Sequence, residues 1–231
     1  MLLATKVSER ANLIGIVDWR IAELERLGVT IRTHCYAELA EVLAEAPDAV
    51  FIATGGLPDL DWLNGKDLCH STWDILSGSV APRPKIVIFD GTGRAAAPSA
   101  ALLAAQHSNA VTFVTRDSVL GQEMPYQDNT GFRRRFVELG IQLVTDQTLT
   151  RVEQCDGKLV STFSGSYGGP PLMLDADQVI VEHGTQPLND LYDTLNTTTD
   201  YRGTAFLIGD AVASRDIHAS VRESHRMALE V

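Results

Sequence analysis

The segment KIVIFDGTGRAA (residues 85–96) decides the fold class of this chain. It opens with a short apolar run that predicts a buried strand, continues through a glycine-rich turn, and leads into residues 97–106, whose composition favours a helix. Residues 111–115 are again apolar and β-branched, which predicts a second strand. Together they form a βαβ unit, and such units build parallel α/β sheets.

The turn in this segment has the spacing Gly91-x-Gly93-x-x-Ala96, with Thr92 and Arg94 in between. Glycines at these positions let the backbone bend tightly and approach a pyrophosphate, whose charge then lies on the free N–H groups and the positive dipole of the following helix. We therefore predict a nucleotide site at Gly91, Thr92, Gly93 and Arg94. The alternative stays open that the glycines serve only a tight structural turn.

The residue that would recognise the ribose is less well defined. A dinucleotide site usually has an acidic residue at the end of its second strand, whereas this strand ends with Thr115, Arg116 and Asp117. Arg116 is suited to bind a 2′-phosphate. Asp117 is suited to bind the ribose hydroxyls, although it lies one position after the place where the acidic residue is expected. Both are equally compatible with a solvated turn. Thr115 and Arg116 are included in the predicted cofactor-binding set.

Upstream of this unit, the sequence also alternates between helix and strand patterns. Apolar residues repeat every three or four positions from 13 to 27, and Gly28 follows where a helix often ends. The further predictions are a strand at residues 29–33, a helix at 37–46, a buried strand at 48–56 and an irregular connection at 57–83.

Downstream, the pattern changes from alternating helix and strand to antiparallel strands. A helix is predicted at residues 130–139 and a strand at 141–145; then residues 151–155 and 158–163 flank the hairpin dipeptide Asp156-Gly157. With a further strand at 179–181 they predict an antiparallel meander. A short helix at 190–195, a strand at 205–208 and a final helix that runs to the chain end complete the expectation.

The composition predicts a folded, water-soluble protein. Hydrophobic residues make up 45% and charged residues 21% of the 231 residues, close to the averages of globular proteins. The net charge of −11 without a dense basic tract argues against a nucleic-acid partner. No apolar run is long enough for a membrane span, and the N-terminal segment becomes polar too soon for a signal peptide.

The remaining reactive residues do not form a recognisable catalytic group. Cys35, Cys69 and Cys155 are odd in number and widely spaced, which predicts neither a disulfide framework nor a zinc site and fits a reducing cytoplasm. The histidines show no metal-ligand spacing, so surface or core positions are the default interpretation. Gly209-Asp210 follows an apolar strand, where Asp210 could bind a sugar-alcohol chain, although a helix N-cap is the favoured interpretation.

Four motifs in this order resemble a known family: ATGG (residues 53–56), DGTG (90–93), EHGTQP (182–187) and IGDA (208–211). The chain resembles the C-terminal FAD/NAD(P)-binding region of the trimethylamine dehydrogenase and 2,4-dienoyl-CoA reductase-like NADH:flavin oxidoreductases, which are related to old yellow enzyme. The segments IGIVDWR (14–20), EMPYQDNTG (123–131) and GDAVASRDIH (209–218) are similar to the demethylating members. The likeness covers nearly the whole chain.

This resemblance implies a Rossmann-like fold with two dinucleotide domains, similar to glutathione reductase, from which the first βαβ unit of the flavin domain is missing. Residues 1–80 and 179–231 would form the truncated FAD-like domain, and residues 84–178 the inserted NAD(P)- or ADP-binding domain. The residues that it places at the domain crossings and at the flavin-side strand end are Ala53, Thr54, Gly55, Gly184, Gly209 and Asp210.

Two functions follow from the resemblance and stay open. The chain is either the nucleotide-binding part of a flavin-dependent oxidoreductase, without a complete catalytic centre, or a noncatalytic ADP-binding or assembly module. The barrel that would carry FMN and substrate and the cysteine cluster of an iron–sulfur centre are absent from the sequence. The resemblance implies ADP or NAD(P)H as ligand, no stoichiometric FAD, and self-association or association with a missing domain or subunit.

Overall fold

The computed structural model describes residues 2–231, which form two compact units. The first unit combines the N-terminal residues up to Val29 with Asp59–His183, and the second combines Thr30–Pro58 with Gly184–Val231. The helices, numbered in chain order, are α1 (Ile14–Arg26), α2 (Leu39–Ala44), α3 (Thr72–Ser77), α4 (Ala96–Ala105), α5 (Tyr126–Glu138), α6 (Asp190–Thr197) and α7 (Ile217–Ala228).

The strands are shorter than the helices on average. They are β1 (Ala49–Ile52), β2 (Gly56–Pro58), β3 (Cys69–Ser71), β4 (Lys85–Asp90), β5 (Ala110–Thr115), β6 (Gln142–Val144), β7 (Gln147–Cys155), β8 (Lys158–Gly165), β9 (Leu172–Ala176), β10 (Gln178–Glu182), β11 (Thr185–Pro187) and β12 (Thr204–Leu207). Short 3-10 helices cover Leu2–Thr5, Ser8–Leu13, Lys66–Leu68 and Gly209–Ala211.

The first unit is built on a parallel five-stranded sheet in the order β3-β10-β4-β5-β6. Successive residues of β4 point to opposite faces, so Ile86 and Ile88 belong to one apolar core while Val87 and Phe89 belong to another. Helix α4 packs on the first core, where its small buried alanines allow a close approach to the sheet. The predicted strand, glycine turn, helix and strand are confirmed.

The antiparallel meander consists of β7, β8 and β9, and it contributes Phe163 to the second core. The prediction that residues 179–181 belong to this meander is wrong. They lie in β10, which pairs in parallel with β3 and β4, and every residue of β10 is buried. Burial on both faces is typical of a central parallel strand, and the third meander strand is instead Leu172–Ala176.

The second unit holds two small sheets. Strands β1 and β12 pair in parallel, with the rings of Phe51 and Phe206 stacked at 4.8 Å between their centroids. Strands β2 and β11 pair antiparallel. Helix α7 ends at Ala228, short of the predicted run to the chain end.

Two further predictions of secondary structure are wrong. Residues 29–33 form no strand, and Val29 and Ile31 are each 48% exposed. The predicted irregular connection at 57–83 contains β3 and α3. Ser71 is the N-cap of α3 and forms a capping box with Asp74, which stabilises the start of this helix. Among residues 2–231, none of the helices is long and apolar enough to cross a membrane.

The chain passes from one compact unit to the other between residues 29 and 30, between 58 and 59, and between 183 and 184. The resemblance places its domain boundaries at about 80, 84 and 178/179. Residues 59–80 and 179–183 therefore lie in the same unit as the central sheet. The assignment of a flavin-side and a nucleotide-side domain stays a prediction.

Candidate functional site

The glycine turn of the first unit is organised by the carboxylate of Asp90. Asp90 Oδ1 accepts hydrogen bonds from the N–H groups of Thr92 and Gly93, both at 3.0 Å, and from Thr92 Oγ1 at 3.1 Å. The N–H of Gly91 donates to the carbonyl of Glu182 at 2.8 Å. Three N–H groups that the sequence pattern assigns to a pyrophosphate thus bind acceptors of the protein itself.

The carboxyl group of Asp90 lies beneath the turn and is fully buried. Burial raises the pKa of Asp90 to about 6, against hydrogen bonds from Thr92 and Gly93 that lower it, and nearby Glu182 raises it further. Within the part of the chain that is described, Asp90 Oδ2 has no hydrogen-bond partner. Glu182 is its register partner on β10 and accepts a hydrogen bond from Thr72 Oγ1.

The conformation of Gly93 explains why this position requires glycine. Its φ is +67°, and a Cβ there would lie 2.6 Å from Asp117 Oδ2 and 3.3 Å from Gln122 Cβ. The carbonyl of Gly93 also accepts a 2.9 Å hydrogen bond from the N–H of Glu123. The segment after β5 therefore packs directly on the turn, a contact that the glycine spacing did not predict.

The end of β5 places Asp117 rather than Arg116 at the turn. Thr115 is buried and its Oγ1 accepts the N–H of Asp117 at 3.2 Å. The Asp117 side chain is 21% exposed and that of Arg116 52% exposed. The pKa of Asp117 is raised, chiefly by partial burial and also by nearby Glu123, against the opposite effect of Arg116. An acidic side chain thus lies beside Gly93, where a ribose-recognising residue is expected.

The N-terminus of α4 follows this turn and carries no protein cap. Ala95 supplies no side-chain hydrogen bond and the first turn has no acidic residue. The first N–H groups of a helix lack acceptors within the helix and, with the helix dipole, attract anions. Arg94 precedes this helix and is partly buried. The helix N-terminus and Arg94 are therefore suited to a phosphate.

His183 also lies against the turn, although the sequence interpretation treated it as an ordinary histidine. A Cβ on Gly91 would lie 2.7 Å from His183 Cδ2. His183 Nδ1 is 3.3 Å from Asp59 Oδ2, and the rings of His183 and Trp62 are 4.4 Å apart between centroids. The EHGTQP motif contains this residue, but spacing alone could not reveal its neighbours.

The predicted residues of the second unit are tied into turns. Thr54 Oγ1 donates to the carbonyl of Leu188, and the N–H of Leu188 donates to the carbonyl of Gly55 at 3.0 Å. Gly55 and Gly184 have φ values of +74° and +83°, which glycine adopts without strain. Ala53 lies between β1 and this turn.

Asp210 does not cap the final helix, so the favoured N-cap interpretation is wrong. Asp216 caps α7 by accepting the N–H of Ala219 at 2.7 Å. Asp210 Oδ1 instead accepts the N–H of Arg215 at 3.1 Å, and the N–H of Gly209 donates to Glu223 Oε2 at 2.8 Å. These contacts stabilise the turn after β12 and do not test the predicted flavin contact.

The predicted residues thus fall into two groups. Gly91 to Arg94 lie together with Thr115 and Arg116 in the first unit, and the other predicted residues lie in the second unit. No group of three or more histidine, cysteine or acidic side chains among residues 2–231 could hold a metal ion.

Comparison with curated proteins finds homologues along the full chain. A protein of Rhizobium meliloti named "Probable N-methylproline demethylase" is 33% identical, with 99% of this chain and 37% of the relative covered. A "Multifunctional alkene reductase/demethylase OYE" of Caballeronia cordobensis is 34% identical, with 99% and 38% covered. The chain thus spans less than two fifths of the length of these relatives. No protein-family model matches the chain.

Comparison with solved structures supports the fold. A 2-naphthoyl-CoA reductase has a TM-score of 0.84 at 22% identity, with 100% of this chain and 34% of that chain covered. The thioredoxin reductase of Lactococcus lactis has a TM-score of 0.61 at 18% identity, with 78% of this chain and 63% of that chain covered. The predicted α/β, Rossmann-like fold class is confirmed.

Proposed function

Because this chain is homologous to a part of the trimethylamine dehydrogenase and 2,4-dienoyl-CoA reductase-like flavin oxidoreductases, we propose that it is an adenine-nucleotide-binding region of such an enzyme. The ligand is ADP or NAD(P)H, held at the glycine turn of the first unit. Residues 1–231 would contribute this site without the complete catalytic machinery of a demethylase or amine dehydrogenase. The cytoplasm is the proposed location.

The observation that carries this proposal is the position of Asp117 beside the turn. The Asp117 carboxylate approaches Gly93, and α4, whose N-terminus has no side-chain cap, begins three residues later. An acidic acceptor for ribose hydroxyls and a helix end for phosphate are two of the features of a dinucleotide-binding βαβ unit. The N–H groups of Thr92 and Gly93 do not fit this role, because Asp90 already binds them.

This arrangement predicts a preference for nucleotides with a free 2′-hydroxyl. We expect ADP and NADH to bind more tightly than NADPH, because the Asp117 carboxylate repels a 2′-phosphate. Asp117→Asn should weaken NADH binding about 10-fold, the value of one hydrogen bond to a charged group. Isothermal calorimetry measures each affinity.

Asp156→Asn is the matched control for Asp117→Asn. It makes the same chemical change in the β7–β8 hairpin turn, where Asp156 is exposed. Nucleotide affinity should not change in this variant. If NADPH binds as tightly as NADH to the parent chain, Asp117 does not recognise the ribose.

A noncatalytic ADP-binding or assembly module is the second candidate function. Its support is the small parallel sheet of the second unit, which contains only β1 and β12 among residues 2–231. Two strands do not form the larger parallel unit with which dinucleotide-binding folds hold a flavin. The stacked Phe51 and Phe206, of which Phe51 is 37% exposed, would favour self-association or pairing with another domain or subunit.

This sheet predicts that purified residues 1–231 hold no stoichiometric flavin. We expect a colourless protein after gel filtration, with less than about 0.1 flavin per chain by absorbance near 450 nm. The reason is that the adenosine and pyrophosphate of FAD need a complete βαβ unit. A flavin that co-elutes at about one per chain would contradict this prediction and favour a complete flavin site.

A further inference from the structure

We propose that His183 determines which ligands the glycine turn accepts, by donating a hydrogen bond from Nε2 to a phosphate group of the bound adenine nucleotide. Asp59 and Trp62 are positioning residues that hold the imidazole. This inference rests on the proposed function, because it concerns the same site.

The imidazole of His183 lies between Asp59 and the first glycine of the turn. Nδ1 and Cδ2 flank Cγ on opposite edges of the ring. The Nδ1 edge faces Asp59 Oδ2 at 3.3 Å, whereas Cδ2 lies 2.7 Å from a Cβ placed on Gly91. Nε2 is bonded to Cδ2, so the edge that carries Nε2 lies beside the first glycine of the turn. The side chain is 33% exposed, which leaves it accessible to a ligand.

Charge explains why the turn needs such a residue. Asp90 lies beneath the turn and binds the N–H groups of Thr92 and Gly93, so these two donors do not reach a phosphate. Glu182 and Asp117 add two more carboxyl groups nearby. Arg94 at the start of the helix, Arg116 beside Asp117 and a protonated His183 can offset this negative charge.

The contact with Asp59 makes phosphate binding depend on a proton. A carboxylate can only accept, so the proton on Nδ1 is directed to Asp59 and Nε2 carries a second proton only in the imidazolium form. A hydrogen bond from Nε2 to a phosphate therefore requires a proton on both ring nitrogens. Among the charged or titratable groups, Asp59 contacts the His183 ring, Glu182 precedes His183 in the chain and Asp90 precedes Gly91, whereas Asp117 and Arg94 lie at Gly93.

The test compares ADP with adenosine on the parent chain and on His183→Gln. We expect His183→Gln to weaken ADP binding about 10-fold or more, as for a lost hydrogen bond to a charged group. Adenosine, which lacks phosphate, should change less than about 2-fold. Isothermal calorimetry measures the ADP and adenosine affinities of both chains.

Two variants serve as controls in this experiment. His107→Gln makes the same change at an exposed position just beyond the other end of α4 and should leave ADP binding unchanged. Asp59→Asn keeps the size of the side chain but removes the charged acceptor that faces Nδ1. It should reduce ADP affinity more than adenosine affinity, and it replaces His183→Gln as the test if thermal melting shows that the latter does not fold.

The outcomes separate the inference from the proposed function. If the parent binds ADP and His183→Gln binds it equally well, His183 does not contact phosphate and the nucleotide site stands. If ADP and adenosine weaken equally, His183 has a merely structural role and the inference fails. If the parent binds neither ADP nor NADH, the proposed function fails and the inference with it.

Discussion

Replacing Gly93 by alanine is expected to lower the free energy of unfolding of the first unit by about 2–3 kcal/mol. The φ of +67° disfavours any residue with a Cβ, and the new methyl group would meet Asp117 Oδ2 at 2.6 Å and Gln122 Cβ at 3.3 Å. Asp117 can move away, but its movement also removes the proposed ribose contact. Nucleotide binding should therefore be lost together with stability.

Tryptophan fluorescence during urea unfolding measures this effect in the relevant unit. The three tryptophans, Trp19, Trp62 and Trp73, all lie in the first unit. Gly131→Ala is the matched control because Gly131 lies within α5 with no atom near the added Cβ. That variant should gain about 0.5–1 kcal/mol from helix propensity. Equal stability of the Gly93→Ala and parent chains would refute the strain at the turn.

The βαβ unit at the centre of the first unit could be predicted because each of its elements has a characteristic pattern within a short stretch of sequence. The apolar run of β4, the glycine turn and the alanines of α4 each indicate their structure within a few residues. Residues 29–33 have the same apolar character, yet a strand also needs a neighbour with which to pair. The pairing of β10 with β3 and β4 joins segments about 90 to 110 residues apart in the chain, which no local pattern specifies.

For the candidate site, the sequence predicted the position of the glycine turn but not the side-chain contacts around it. The GxGxxA spacing located the turn, but the identity of its hydrogen-bond acceptor depends on burial. The sequence shows Asp90 only as a polar residue at the end of a strand. Its burial depends on β5 and β10, which flank β4 in the folded sheet. His183 and Asp59 are separated by more than a hundred residues, so their contact could not be inferred from spacing.

The buried carboxyl group of Asp90 should make the stability of the first unit depend on pH in a measurable way. Its pKa is raised from 3.8 to about 6, chiefly by burial. The stabilisation from the proton on Asp90 is fully present below pH 3.8 and is lost as the pH rises through 6. A shift of one pKa unit corresponds to about 1.4 kcal/mol. The free energy of unfolding of the parent should therefore fall by about 2 kcal/mol from pH 4.5 to pH 8 because of this group.

Asp90→Asn isolates this contribution because asparagine cannot ionise. Its side-chain oxygen can still accept hydrogen bonds from the N–H groups of Thr92 and Gly93. Burial of its amide nitrogen changes the free energy of unfolding by the same amount at every pH, because the amide does not titrate. The difference in unfolding free energy between variant and parent, followed by tryptophan fluorescence, should therefore shift by about 2 kcal/mol in favour of the variant from pH 4.5 to pH 8.

Asp175→Asn provides the opposite case in the same unit. Hydrogen bonds from Lys85 and Lys158 lower the pKa of Asp175 below 3.8, so its stabilisation is lost only as the pH falls through that lowered value. Its difference from the parent should stay constant between pH 4.5 and pH 8. A constant difference for Asp90→Asn as well would mean that Asp90 is ionised throughout this range. The turn would then hold a permanent negative charge, and phosphate binding would depend still more on His183 and the N-terminus of α4.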